Sequence, residues 1–79
     1  MFAGIWNLKG SESILRIDGP FGGDRYSFIM DDEEPESVGI YISNETHALL
    51  TNSKHFGRSD ITILNADNIK IGSYLLERQ

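Results

Sequence analysis

The chain has 79 residues, a formal net charge of −5 and no cysteine. A chain of this length forms one domain, residues 1–79, and without cysteine it has neither a disulfide nor a thiolate metal site. The negative charge argues against nucleic acid and anionic membranes as partners, because both are polyanionic. The lack of cysteine and of a signal-peptide pattern at the N-terminus predicts a cytoplasmic location.

Short runs in which apolar and polar residues alternate follow one another along the chain, as is typical of half-buried strands. The clearest run begins at Arg25 and places Tyr26, Phe28 and Met30 on one face. The runs are separated by turn and loop residues, notably the glycine-rich stretch at 19–24. The predicted strands before the last third of the chain are 1–9, 13–18, 25–30, 38–43 and 46–51.

The acidic stretch at 31–37 carries five of the twelve acidic residues and predicts a solvated loop, since like charges repel. The polar stretch Asn52–Ser59, in which Phe56 is the one apolar residue, also predicts a loop. The residues from Asp60 to Gln79 predict a closing β-hairpin. Its turn is Asn65–Asn68, because Asn and Asp tolerate left-handed backbone angles.

The strand pattern predicts an all-β fold with about seven short strands and no helix, since no apolar residues recur at helical spacing over a long window. Short connections favour antiparallel neighbours in chain order, which is a meander. An open sheet would expose its edge strands. We therefore expect a small antiparallel meander barrel or a strongly curved sheet, and a homo-oligomer, most simply a dimer.

Gly4-Ile5-Trp6 near the start, the meander of short strands and Arg78 near the end resemble the lipocalin-like, or calycin, β-barrels. In that family the Trp closes the barrel floor and a late Arg packs over it. The resemblance implies a structural latch in which Arg78 stacks on Trp6, a contact worth about 0.5–2 kcal/mol. Enclosing a ligand usually takes about eight strands, and this chain is short for such a barrel. The resemblance therefore implies a minimised barrel, filled by its own side chains or completed by a second subunit.

Four aromatic residues on predicted strands, Tyr26, Phe28, Tyr41 and Tyr74, are candidates for a groove that binds an apolar ligand or a partner peptide. The competing interpretation is that they belong to the core. That interpretation is favoured for Phe28, whereas a tyrosine at a sheet surface suits either role.

His47 and His55 are candidate general bases, since histidine titrates near neutral pH, but their spacing does not bring them together. No catalytic residue, metal site or cofactor site is predicted. The acidic loop lacks the spaced ligand pattern of a calcium site, and the glycine-rich stretch lacks the Lys and the helix of a P-loop. The basic stretch of Lys54, His55 and Arg58 is either a solvated loop or a contact for an acidic partner.

These features favour a non-enzymatic binding or protein-interaction module of lipocalin-like type that self-associates. One alternative is a binder of a small apolar ligand, held in the barrel or between subunits. The other is a small hydrolase-type enzyme that uses His47 or His55.

Overall fold

In the computed structural model, which describes residues 1–79, the chain is a closed antiparallel barrel of eight strands in sequence order. Each strand pairs with the strands before and after it, and the last pairs with the first. No helix is present that could cross a membrane. The strands are β1 (Gly4–Leu8), β2 (Ile14–Asp18), β3 (Arg25–Met30), β4 (Glu36–Ile42), β5 (His47–Ser53), β6 (Gly57–Asn65), β7 (Asn68–Ile71) and β8 (Tyr74–Arg78).

The predicted all-β meander is confirmed, and the predicted turn between Asn65 and Asn68 joins β6 to β7. Two details differ. The strand count is eight, because Gly72, with φ of 59°, makes a second tight turn that separates β8 from β7. The polar residues from Gly57 to Ser59 belong to β6 and not to a loop, since their backbone pairs with the end of β5.

Strand alternation fills the interior of the barrel with apolar side chains. Trp6, Leu15, Leu50, Ile61 and Leu76 are 0% exposed and come from five different strands. Strands from all parts of the chain therefore contribute to one contiguous core. The barrel is filled by its own residues, and the surface depressions described below lie outside this core.

The pairing of β1 with β8 closes the sheet and leaves no free edge strand. The expectation of a dimer was based partly on exposed edges. That reason does not apply to a closed barrel, so a contact between two copies would have to use the outer face or a barrel end. Self-association itself stays a prediction.

One end of the barrel, which we call the floor, is closed by Trp6 and Arg78. The guanidinium carbon of Arg78 lies 4.2 Å from the centroid of the Trp6 ring. Trp6 is fully buried, and its Nε1 donates a hydrogen bond to the Phe2 carbonyl at 2.9 Å. Gly4 has φ of 142°, and a Cβ at this position would collide with the Arg78 guanidinium. Gly4 thus leaves the space that the Arg78 guanidinium fills, and Trp6, two residues later, provides the ring on which it stacks.

The Arg78 side chain also donates hydrogen bonds to three backbone carbonyl groups at the floor. Nη1 donates to the Ala3 carbonyl at 2.6 Å, Nη2 donates to the Met1 carbonyl, and Nε donates to the Ala66 carbonyl at 3.2 Å. These contacts join the N-terminal segment, the β6–β7 turn and β8. The planar fork of donors suits arginine and not lysine.

Candidate functional site

The opposite end of the barrel, which we call the upper rim, is formed by the β1–β2, β3–β4, β5–β6 and β7–β8 connections. A surface depression of about 400 Å³ opens there, and we call it the rim pocket. Its apolar wall comes from Leu8, Met30, Phe56 and Tyr74. Charged and titratable side chains complete the lining: Lys9, Asp31, Glu33 and His55.

Phe56 covers the core at the upper rim. Its ring makes edge-to-face contacts with Phe28, at a centroid distance of 6.1 Å, and with Tyr74, at 5.6 Å. It therefore joins a core ring to a ring that is 53% exposed. The sequence pattern places Phe56 in a polar loop and indicates no role for it. The available signal was its position as the single apolar residue in that stretch.

A carboxylate holds the loop that carries Phe56. Glu36 Oε1 accepts a hydrogen bond from the Ser53 hydroxyl at 2.9 Å, and Oε2 accepts one from the Lys54 backbone N–H at 2.8 Å. The Ser53 hydroxyl in turn accepts from the Phe56 backbone N–H at 3.1 Å. Because the Glu36 side chain is only 9% exposed, these bonds satisfy a carboxylate that water barely reaches.

His55 lies between two carboxylates at the rim. Its Nε2 is 3.3 Å from Glu33 Oε1, and its Nδ1 is 3.7 Å from Glu36 Oε1. The nearby Ser53 hydroxyl bonds to Glu36 and not to His55. The cluster therefore lacks the hydroxyl–imidazole hydrogen bond by which a base activates a serine nucleophile.

The second histidine lies far along β5 from this cluster. His47 begins β5, whereas His55 follows the end of that strand, so the two histidines are at opposite ends of the barrel. His47 Nδ1 is 2.8 Å from the Thr46 hydroxyl, and no carboxylate lies within ion-pair distance. Of the two candidate bases, His55 alone has acidic neighbours.

The four aromatic residues predicted to bind a ligand do not line one groove. Tyr26 and Phe28 are core residues, 7% and 1% exposed, and Tyr26 packs edge-to-face on the Phe2 ring near the floor. Tyr74 is at the rim pocket. Tyr41 is 48% exposed on the outer wall of β4. The structure thus brings Phe28 and Tyr74 together through a third ring and leaves the other two apart.

Burial raises the pKa of Tyr26 above its ordinary value of 10.0, and the nearby charge of Asp24 adds to the rise. The folded state therefore favours the protonated phenol. The stabilisation is fully present below pH 10 and is lost as the pH rises through the folded-state pKa. We expect the free energy of unfolding to fall above about pH 10 and to fall less in Tyr26→Phe. Urea titrations between pH 8 and pH 11.5 measure this, and equal pH dependence in both proteins would contradict it.

No protein-family model, no curated protein and no solved structure matches the chain. The closed antiparallel barrel is compatible with a small-barrel fold in general. The likeness to the lipocalin-like barrels rests on the residues of this chain, namely Gly4, Trp6 and Arg78.

Proposed function

We propose that this chain is a non-enzymatic binding module whose ligand surface is the rim pocket. The observation that supports the proposal is a depression of about 400 Å³ that combines an apolar wall with carboxylates at its mouth. Ligand sites are commonly apolar depressions in which a few polar groups set orientation. The ligand we propose is an apolar group with a cationic end, such as an amine or a basic side chain of a partner peptide.

The apolar wall suits the body of such a ligand. Tyr74 is 53% exposed and lies against Phe56, so part of its ring is free to cover an incoming apolar group. Leu8 and Met30 are 8% and 7% exposed and belong to the core beneath the pocket. Exposed aromatic rings that rest on a rigid core are good anchors for binding, because little side-chain entropy is lost.

The charges at the mouth suit a cationic end. Asp31 and Glu33 both line the pocket, and Lys9 is drawn toward Glu77, with Nζ 3.4 Å from its Oε1. His55 also lines the pocket, with its Nε2 3.3 Å from Glu33 Oε1. The net charge of −5 extends the same negative potential over the whole chain and favours approach of a cation.

A hydrolase that uses His55 is the second candidate function. The two carboxylates around His55 favour it, since an acidic partner orients a catalytic imidazole. Against it, the Ser53 hydroxyl donates to Glu36, and the same bonds account for how the Phe56 loop is held. We therefore favour binding over catalysis at this rim.

Two dyes with the same fluorophore and opposite charge test the proposed function. We expect dansylcadaverine, which is cationic, to show saturable fluorescence enhancement, with about fivefold tighter binding than the anionic dansylglycine at low salt. Tyr74→Ala should weaken dansylcadaverine binding, whereas Ile42→Ala, an exposed apolar residue at the floor end, should not.

Three results would count against the proposal: no saturable binding, equal affinity for the two dyes, or no effect of Tyr74→Ala. Equal affinity would instead favour the alternative in which a small apolar ligand binds without regard to charge. Added salt should reduce the preference for dansylcadaverine, because the charges at the mouth are exposed to solvent.

We propose three further properties on the observations already given. The lipocalin-like relationship is supported by the Trp6–Arg78 contact, and the cytoplasmic location by the absence of cysteine.

Self-association is supported by apolar residues on the outer face, where Ile5 and Ile14 are 43% and 39% exposed on neighbouring strands. Light scattering at micromolar concentration would reveal it as a mass well above 8.9 kDa.

A further inference from the structure

A second depression lies on the outer wall of the barrel, across β3, β4 and β5. It also measures about 400 Å³, and we call it the wall groove. In contrast to the rim pocket, its lining is mainly polar. The residues that matter below are Asp24, Arg25, Ser37, Gly39, Tyr41 and Asn52.

Gly39, a glycine in the middle of the sheet, lies at the base of the wall groove. Arg25, Gly39 and Thr51 are register partners on three adjacent strands, and the space left by the missing side chain at Gly39 is taken by the Thr51 hydroxyl and the Tyr41 ring. A Cβ at Gly39 would lie 2.7 Å from Thr51 Oγ1 and 3.0 Å from Tyr41 Cε2. The Tyr41 ring therefore rests against the glycine. With 48% of the residue exposed, much of the ring remains open to solvent.

The polar side chains of the wall groove have no partners within the chain. Asp24 and Arg25 are adjacent in sequence, yet neither takes part in an ion pair of the barrel. The side chains of Ser37 and Asn52 likewise make none of its hydrogen bonds. At the rim, by contrast, the carboxylate of Glu36 is already bonded to its neighbours. The hydrogen-bonding capacity of the wall groove is thus available to a ligand.

A β-bulge at the end of β5 directs two successive residues to different sites. The register of β5 and β6 shifts between Leu50 and Ser53, and Asn52 within the shift has φ of 64°. Asparagine is among the few non-glycine residues that tolerate this left-handed angle. Asn52 lines the wall groove, whereas Ser53 bonds to Glu36 at the rim. Bulges often re-aim side chains beside binding sites in this way.

We infer that the wall groove is a second binding site and that its ligand is a neutral saccharide. The Tyr41 ring offers a flat face on which the C–H groups of a sugar ring stack, because the aromatic face is electron-rich. The Asp24 carboxylate can accept a hydrogen bond from one hydroxyl group of the sugar. The Arg25 guanidinium can donate a hydrogen bond to a neighbouring hydroxyl group. Asn52 and Ser37 can do both.

The charges of the groove argue against a simple ion and against an apolar ligand. Asp24 and Arg25 carry opposite charges in the same depression, so neither an anion nor a cation gains a net attraction there. An apolar ligand would leave these polar groups desolvated without partners, which is costly. A neutral molecule with many hydroxyl groups satisfies all of them at once.

An NMR titration tests the saccharide site on the full chain. The probes are cellotriose, maltotriose and triacetylchitotriose, each added up to about 20 mM because a small exposed site binds in the millimolar range. We expect at least one of them to shift the amide signals of Asp24, Arg25, Tyr41 and Asn52 saturably. Tyr41→Ala should weaken binding about tenfold, and Tyr41→Phe, which keeps the ring, should change it less than about threefold.

Asn52→Gly provides a second variant that keeps the left-handed backbone and removes the amide, and it should also weaken binding. Each variant is first checked for an unchanged pattern of core amide signals, so that loss of binding is separable from loss of fold. The inference is overturned if none of the three sugars shifts the groove residues. It is also overturned if Tyr41→Ala binds as tightly as the parent chain, or if inorganic phosphate binds the groove and the sugars do not.

Discussion

Deletion of residues 73–79 is expected to leave the remaining chain unfolded. These residues contain β8, which pairs with β1 on one side and β7 on the other, so the deletion opens the barrel. It also removes Leu76, which is fully buried, and the Arg78 latch. A domain of this size has about 4–12 kcal/mol of stability, and loss of one buried Leu side chain alone costs about 2–5 kcal/mol. Circular dichroism and amide NMR dispersion measure the outcome.

A circular permutant is the matched control for this deletion. The chain ends lie near each other, since Arg78 Nη2 donates to the Met1 carbonyl and the Gln79 backbone N–H donates to the Ile5 carbonyl at 2.9 Å. A short glycine–serine linker can therefore join the ends, with new termini opened in the exposed loop between Asn44 and Glu45. The permutant keeps all eight strands and should fold. A truncated chain that unfolds cooperatively, with native-like amide dispersion, would show that closure is dispensable.

Arg78→Ala is expected to lower the free energy of unfolding by about 2–4 kcal/mol. The substitution removes the cation–π contact with Trp6 and the donors to three backbone carbonyls. The Arg78 side chain is 24% exposed, so water replaces part of this loss and the cost stays below that of a fully buried network. Chemical denaturation at pH 7 measures the change.

Two substitutions separate the latch from the charge. Arg78→Lys keeps a cation near the Trp6 ring and loses the planar fork of donors. Its free energy of unfolding should therefore lie between those of Arg78→Ala and the parent chain. Arg16→Ala removes an arginine whose side chain is 60% exposed and paired with Asp18 on the outer wall, and it should cost less than about 1 kcal/mol. Equal losses for Arg78→Ala and Arg16→Ala would mean that the floor contacts do not act as a latch.

Local periodicity predicted much of the fold correctly. Tyr26, Phe28 and Met30 were placed on one strand face, and all three are buried in the barrel. This succeeds because side-chain direction in a strand alternates with every residue and depends on neighbours in sequence alone. The strand β8 was not separated from the closing hairpin, because the two-residue turn at Gly72 interrupts the apolar pattern too briefly to be seen.

The candidate sites were much harder to predict. The rim cluster joins Glu36 to Ser53, 17 residues later, and Glu33 to His55, 22 residues later. Nothing in either segment names its partner, because the contact depends on the register of β4 and β5 and on the loop beyond β5. Tyr41 was identified as a candidate, but the polar groups beside it and the glycine against which its ring packs are brought together by three strands.

Local sequence patterns were sufficient to predict the all-β class, the order of the meander and the inward face of most strands. Those properties follow from alternation and from turn residues that act within a few positions. The closure of the sheet and the position of Phe56 over the rim became visible only in the folded barrel, whereas the Arg78–Trp6 contact had been implied by the family resemblance and by no local pattern. Each of these contacts joins segments distant in sequence. It therefore depends on the stagger of all eight strands around the barrel, which no local pattern specifies.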